Sequence, residues 1–179
     1  MLPMLAGVSF RRPSLLATIS RCKLGYTHHY TQKKNFSKKD WHSFMEFVEK
    51  LSHYKPTICG PDGTEHPVIN ENDVMFNGDA ALEEDHETFH VSRIRPEVPE
   101  WAKFDGKPYQ GSDYQGFRFC KTNRKPYDAA VVACLIFIAN MNKNIMKITS
   151  SGSVADWHEG YHLCKAVYPH TNFTIPDLE

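Results

Sequence analysis

The 179 residues contain no apolar run long enough to cross a bilayer, no Cys-x-x-Cys pair, no GxxxxGK[ST] or GxGxxG phosphate loop and no Gly-x-Ser-x-Gly nucleophile elbow. The longest apolar run, residues 129–139, is about half of the roughly twenty residues a membrane-spanning helix needs. A nucleotide site of the common glycine-rich kinds and a hydrolase elbow are therefore disfavoured from the outset. The chain also has no excess of either charge: 21 Lys and Arg stand against 21 Asp and Glu. Its 41% apolar and 12% aromatic content exclude a disordered or collagen-like chain and suffice for one folded core.

A second absence is local. Residues 1–34 hold no Asp or Glu, yet carry Arg11, Arg12, Arg21, Lys23, Lys33 and Lys34 among Ser, Thr and Leu. Leu2, Leu5, Val8, Leu15, Leu16 and Ile19 fall at spacings that form apolar faces on a helix. An acid-free, Arg-bearing, amphipathic opening segment has the composition of a mitochondrial transit peptide, with a retained basic arm as the alternative. Arg11, Arg12 and Pro13 interrupt the apolar stretch that a secretory signal requires. The expected organisation is a leader over 1–34 and one globular domain over 35–179. Within that domain, 35–115 reads as helix, loop and hairpin, and 116–179 as β-α-β-α.

The leader changes the meaning of the charge balance. Cleavage after Tyr30 would remove Arg11, Arg12, Arg21 and Lys23 and no acid, leaving 17 cations against 21 anions, a net of −4. An acidic domain is a poor polyanion binder, so its charge argues against nucleic acid as a partner. Cys59, Cys120, Cys134 and Cys164 remain at wide, irregular gaps, and Cys134 lies within the apolar run. Free, buried thiols in a reducing matrix fit that pattern better than a disulfide framework.

Along the domain, Ser37 followed by Asp40 is a helix-start signal, and Trp41, Phe44, Phe47, Val48 and Leu51 continue at helical spacing. A helix over 38–52 follows, its aromatic stripe packing on the protein's own core or docking in a partner's groove. Residues 73–76 and 87–94 read as two strands, with turn signals at Asn77-Gly78 and an acidic link between them. Residues 97–116 read as a long irregular connection containing Trp101, Tyr109 and Tyr114, either packed by its aromatics or reserved for a partner. Next come a strand at 117–120, a central buried helix over 128–140 opened by Asp128 as its cap, a strand at 145–149 and an amphipathic helix over 154–167. The expected class is α+β or α/β, with a small mixed sheet and a C-terminal β-α-β-α unit.

Two places invite chemistry. His-Glu-x-x-His occurs at His86–His90 and at His158–His162. On a helix such a pair can share a zinc ion, but the first copy lies on an expected strand, where its histidines stand about 13 Å apart. His158 and His162 are thus the metal candidates, with zinc as the alternative to no cofactor at all and no third ligand close in sequence. The other place is the sheet edge. If 117–120 and 145–149 are neighbouring parallel strands, the turns after them emerge together, bringing Arg118, Lys121, Arg124 and Lys125 near Ser151 and Ser153. That cluster suits a phosphate, a lipid head group or an acidic partner segment.

These readings lead to one functional expectation and one rival. The first is a non-catalytic accessory subunit on the matrix face of a respiratory-chain or ATP-synthase-type assembly, with other protein subunits as partners. The rival is a small matrix enzyme or ligand-binding protein with an anion or metal site at the sheet edge.

Overall fold

The computed structural model describes residues 25–98, 100–108 and 114–178. Most of the expected leader, residues 1–24, lies outside them, as do Cys22, Pro99 and Tyr109 and the side chain of Trp101. Three helices, α1 (Lys38–Leu51), α2 (Asp128–Met141) and α3 (His158–Val167), share a core with two small antiparallel sheets. In the first, β1 (Thr27–Gln32) lies between β7 (Phe117–Lys121) and β8 (Met146–Ser150). The second has the order β2 (Val68–Ile69), β3 (Asp73–Phe76), β4 (Phe89–Ser92). A two-stranded ribbon, β5 (Lys103–Phe104) with β6 (Lys107–Pro108), and a short 3-10 turn at Glu100–Ala102 interrupt the long connection. The architecture is α+β, the class the periodicities indicate.

Local chemistry accounts for the helices. The Ser37 hydroxyl accepts the Asp40 N–H at 3.0 Å and caps α1. All five residues of its aromatic and aliphatic stripe are buried, so the stripe packs on the protein's own core. Phe47 stacks on Phe137 of α2 at 4.2 Å between ring centroids, and the Trp41 indole donates to the Asn70 carbonyl at 3.0 Å. In α2, residues 129–136 and Ile138 are buried, which places this helix at the centre. Each fully buried Leu, Ile or Val there contributes about 1.5–3 kcal/mol of transfer free energy. Gly160 lets α3 come close: a Cβ at that position would stand 2.7 Å from Val132 Cβ and closer still to its Cγ1.

Three sequence expectations change. First, the boundary at residue 34 falls too late. Strand β1 is the middle strand of its sheet, paired with β7 through His28↔Cys120 and with β8 through His28↔Ser150. His28, Tyr30 and Gln32 are buried. A cut after Tyr30 would divide the strand that joins β7 to β8, so the folded domain includes β1 and the buried Tyr26 before it. The charge arithmetic survives, because residues 25–30 contain no Lys, Arg, Asp or Glu. Second, β7 and β8 are parallel and joined over α2, but they are not neighbours, since β1 runs antiparallel between them. The unit is a split β-α-β. Third, Asp128 is the first residue of α2 rather than its cap. Tyr127 holds the cap position without a side-chain cap bond, and the Asp128 carboxylate points elsewhere.

The other expected elements stand where their patterns put them. Strands β3 and β4 pair antiparallel from Asp73↔Ser92 to Phe76↔Phe89, with a 3-10 turn at Ala80–Leu82 between them. The C-terminal helical segment is a 3-10 turn, Val154–Trp157, running into α3. Cys59, Cys120, Cys134 and Cys164 are all free and buried. No helix of the described residues is long and apolar enough to cross a membrane.

Candidate functional site

Because β7 and β8 are parallel, the turns after them do emerge at one end of the sheet, on either side of the start of β1. What gathers there is a buried polar network rather than an open cluster of cations. His28, wholly buried, has its Nε2 2.8 Å from Asp128 Oδ1 and its Nδ1 3.1 Å from Ser150 Oγ. The buried Thr122 hydroxyl donates to the same Asp128 oxygen. Ser150 Oγ accepts from the Gly152 N–H at 3.1 Å and from the Trp157 indole at 3.4 Å. With both acceptor positions used, the Ser150 hydroxyl proton is left to donate to His28 Nδ1, and His28 Nε2–H then donates to Asp128. One chain of hydrogen bonds thus ties the end of β8, the start of β1, the turn after β7 and the first turn of α2.

Ser150, His28 and Asp128 follow the order of a hydrolytic triad, and single-sequence motifs gave no hint of it because the three residues lie 100 and 122 positions from one another. The geometry nevertheless suits a staple better than a nucleophile. The two donors on Ser150 Oγ occupy the lone pairs an attack would use, and Ser150 lines none of the described cavities.

The expected anion site is divided. Arg124 and Lys125 line a cavity of about 280 Å³ beside the first turn of α2, but Asp128, Asp156 and Glu159 line it too. Three carboxylates against two cations do not attract an anion. Arg124 is committed to Asp156 at 2.6 Å and lies 4.0 Å over the Tyr26 ring. That hydrogen bond, with those from Ser153, holds the Asp156 carboxyl down at about 2. Lys125 Nζ donates to the Glu83 carbonyl. Ser153 caps the 3-10 turn before α3 through a reciprocal pair of bonds with Asp156, and Ser151 is exposed, its N–H bound to the Thr27 carbonyl at 3.0 Å. The Lys121 side chain runs past Gly25. Arg118 is not at this end; it reaches sideways toward β4.

His158 and His162 sit on one exposed side of α3. Among the described residues no group of three or more His, Cys, Asp or Glu stands where it could hold a metal ion. The zinc alternative therefore lacks a donor set there. His90 lies on β4, where its ring pairs with Asp73 at 2.7 Å.

A feature no local pattern disclosed is the outward face of the first sheet, which no helix among the described residues covers. Outward positions form two cross-strand rows, Phe119–His29–Thr149 and Phe117–Thr31–Lys147. His29 stacks on Phe117 with centroids 6.1 Å apart and 21° between planes, and it also meets Phe119 at 6.3 Å. Tyr114 closes edge-on against Phe117 at 5.9 Å, the one aromatic of the long connection with a described packing partner. Phe119 is 48% exposed. Burial lowers the pKa of His29 below the ordinary histidine value, which favours the neutral ring that completes an aromatic surface. The alternation Phe117-Arg118-Phe119-Cys120 was the available signal; read without β1, it did not disclose which face lacked a helix.

Compared with known proteins, the chain has no matching family model, curated protein or solved structure.

Proposed function

We propose that this protein is a non-catalytic accessory subunit of a mitochondrial assembly of the respiratory-chain or ATP-synthase type, bound to its neighbours through the helix-free face of the β7-β1-β8 sheet. The observation that carries the reading is the cluster of His29, Phe117, Phe119 and Tyr114 on a sheet face that no described helix covers. Aromatic clusters of this kind lose water-exposed surface on docking and dominate the centres of protein interfaces. Their exposure on an isolated chain is a cost that a partner removes. The mitochondrial part of the reading is supported by the acid-free, basic composition of residues 1–24.

The test is native electrophoresis of mitochondrial extract with tagged wild type and Phe119→Asp. Wild type is expected to comigrate with a complex far above its own 20.6 kDa. Phe119→Asp is expected to leave that complex while melting within a few degrees of wild type, since this side chain is half exposed. Migration of the wild type as a free monomer would overturn the reading.

A further inference from the structure

Where β7 runs beside β4, a cavity of about 490 Å³ opens on the same helix-free side. Phe117 and Phe119 wall it from the first sheet, and Met75 and His90 from the second. The strands do not close this crease by pairing; instead the Tyr30 hydroxyl donates to the His90 carbonyl at 3.0 Å.

Arg118 enters the crease with donors to spare. Its Nη2 donates to Ser92 Oγ at 3.2 Å, and that hydroxyl donates in turn to Asp73 Oδ1 at 2.9 Å. Asp73 Oδ1 also accepts from His90 Nε2 at 2.7 Å, so the carboxylate is served by Ser92 and His90 and touches Arg118 only through Ser92. No carboxylate stands at ion-pair distance from the guanidinium among the described residues. Arg118 Nε is buried and meets no acceptor. An arginine cannot shed its charge to escape this position, so this N–H is a donor that water or an acceptor from outside the chain would satisfy.

The surroundings narrow that acceptor. The outward positions of β7, β1 and β8 carry Lys121 and Lys147 and no acid, although residues 25–179 have a net charge of −4. The face therefore complements an acidic segment. Asp73 close by disfavours a dianionic phosphate, and it disfavours a nucleic-acid backbone for the same reason. A single carboxylate fits the one guanidinium.

We infer that this crease seats a carboxylate side chain of the partner, an aspartate or glutamate beside an aromatic residue, with the carboxylate on the Arg118 guanidinium and the aromatic ring against Phe119. The inference rests on the docking reading above and states what the partner presents. Arginine and aromatic groups at the centre of an interface are the pairing that carries most binding free energy in general.

The first arm of the test titrates the purified full chain with acetyl-Gly-Trp-Asp-Gly-amide, following backbone amides by NMR. Saturable shifts are expected at Thr88, Arg118 and Phe119, and binding at least about tenfold weaker for the Asn counterpart of the peptide or for Arg118→Gln. Arg118→Lys is expected to retain part of the binding, and both variants should melt near wild type. Equal affinity for the Asp and Asn peptides, or no saturable shift up to about 5 mM peptide, overturns the inference. Tighter binding of an oligouridylate of about 12 nucleotides at the same amides overturns it as well. The second arm repeats the native electrophoresis with Arg118→Gln, which is expected to weaken comigration. If Phe119→Asp leaves the complex and Arg118→Gln stays as wild type does, the carboxylate seat is wrong and the docking face stands. If wild type itself runs free, the docking reading falls and the peptide arm alone decides the chemistry of the crease.

Discussion

Replacing Asp128 by alanine removes the acceptor for two buried donors at once, His28 Nε2–H and the Thr122 hydroxyl, both on residues with no exposed surface. Each stranded donor costs about 1–3 kcal/mol, so the variant should lose roughly 3–5 kcal/mol. For a domain of this size that corresponds to a fall in Tm of about 10 °C. Asp128→Asn keeps the shape and one carbonyl acceptor, loses the charge-assisted component, and should cost about 1–2 kcal/mol. If the carboxylate acted only as a charge in the first turn of α2, alanine would cost about 0.3–1 kcal/mol. Urea unfolding followed by tryptophan fluorescence measures both variants, with Trp157 reporting from within the network. A double-mutant cycle with Thr122→Val adds a second criterion: the two losses should be non-additive by about 1 kcal/mol or more, because they remove opposite ends of one bond. A loss below about 1 kcal/mol for Asp128→Ala, or strict additivity in the cycle, would refute the staple.

Gly160→Ala should destabilise although alanine is the better helix former by about 1 kcal/mol, because the added Cβ meets Val132 and overpacking in a tight core costs about 1–3 kcal/mol. Thermal melts should show the loss, and Val132→Ala in the same background should recover part of it; a neutral or stabilising Gly160→Ala would contradict the close helix crossing. Asp156, held by Arg124 near 2 when folded against an ordinary 3.8, contributes stability that is present above about pH 4 and fades as pH falls toward 2. The pair is about one-third exposed, so the amount is under about 1 kcal/mol, and Arg124→Gln should flatten the acid limb of a urea-midpoint profile.

The helices were legible because each carries its own evidence. Ser37 with Asp40 marks the start of α1, apolar residues recur along it at helical spacing, and α2 is apolar all round over a length that suits a helix. Strand β1 was not legible. Its buried positions are His28, Tyr30 and Gln32, and its outward ones are Thr27, His29 and Thr31, so no contrast between apolar and polar residues marks the alternation. An acid-free basic segment directly before it drew the strand into the expected leader. Asp128 was legible as a residue at a helix start, but its partners lie at position 28 and in the turn before α2, and no local spacing connects them. The sheet edge was found for a sound topological reason. Asp128 was visible beside its cations, but the other two carboxylates of the same cavity, Asp156 and Glu159, come from the 3-10 turn before α3 and from α3 itself, and no local spacing brings them there.

Both notable places on the molecule hang from β1. Its inward His28 ties the sheet to α2 through Asp128, while its outward His29, the next residue, lies between Phe119 and Thr149 in the aromatic row. Side chains alternate along a strand, so a shift of one residue would send His28 to the open face and His29 into the core. The Ser150–His28–Asp128 network opposes that shift from both neighbouring elements, since Ser150 lies on β8 and Asp128 follows β7. The polar staple therefore does more than add stability: by fixing the register of β1 it determines which rings stand on the outward face of the sheet.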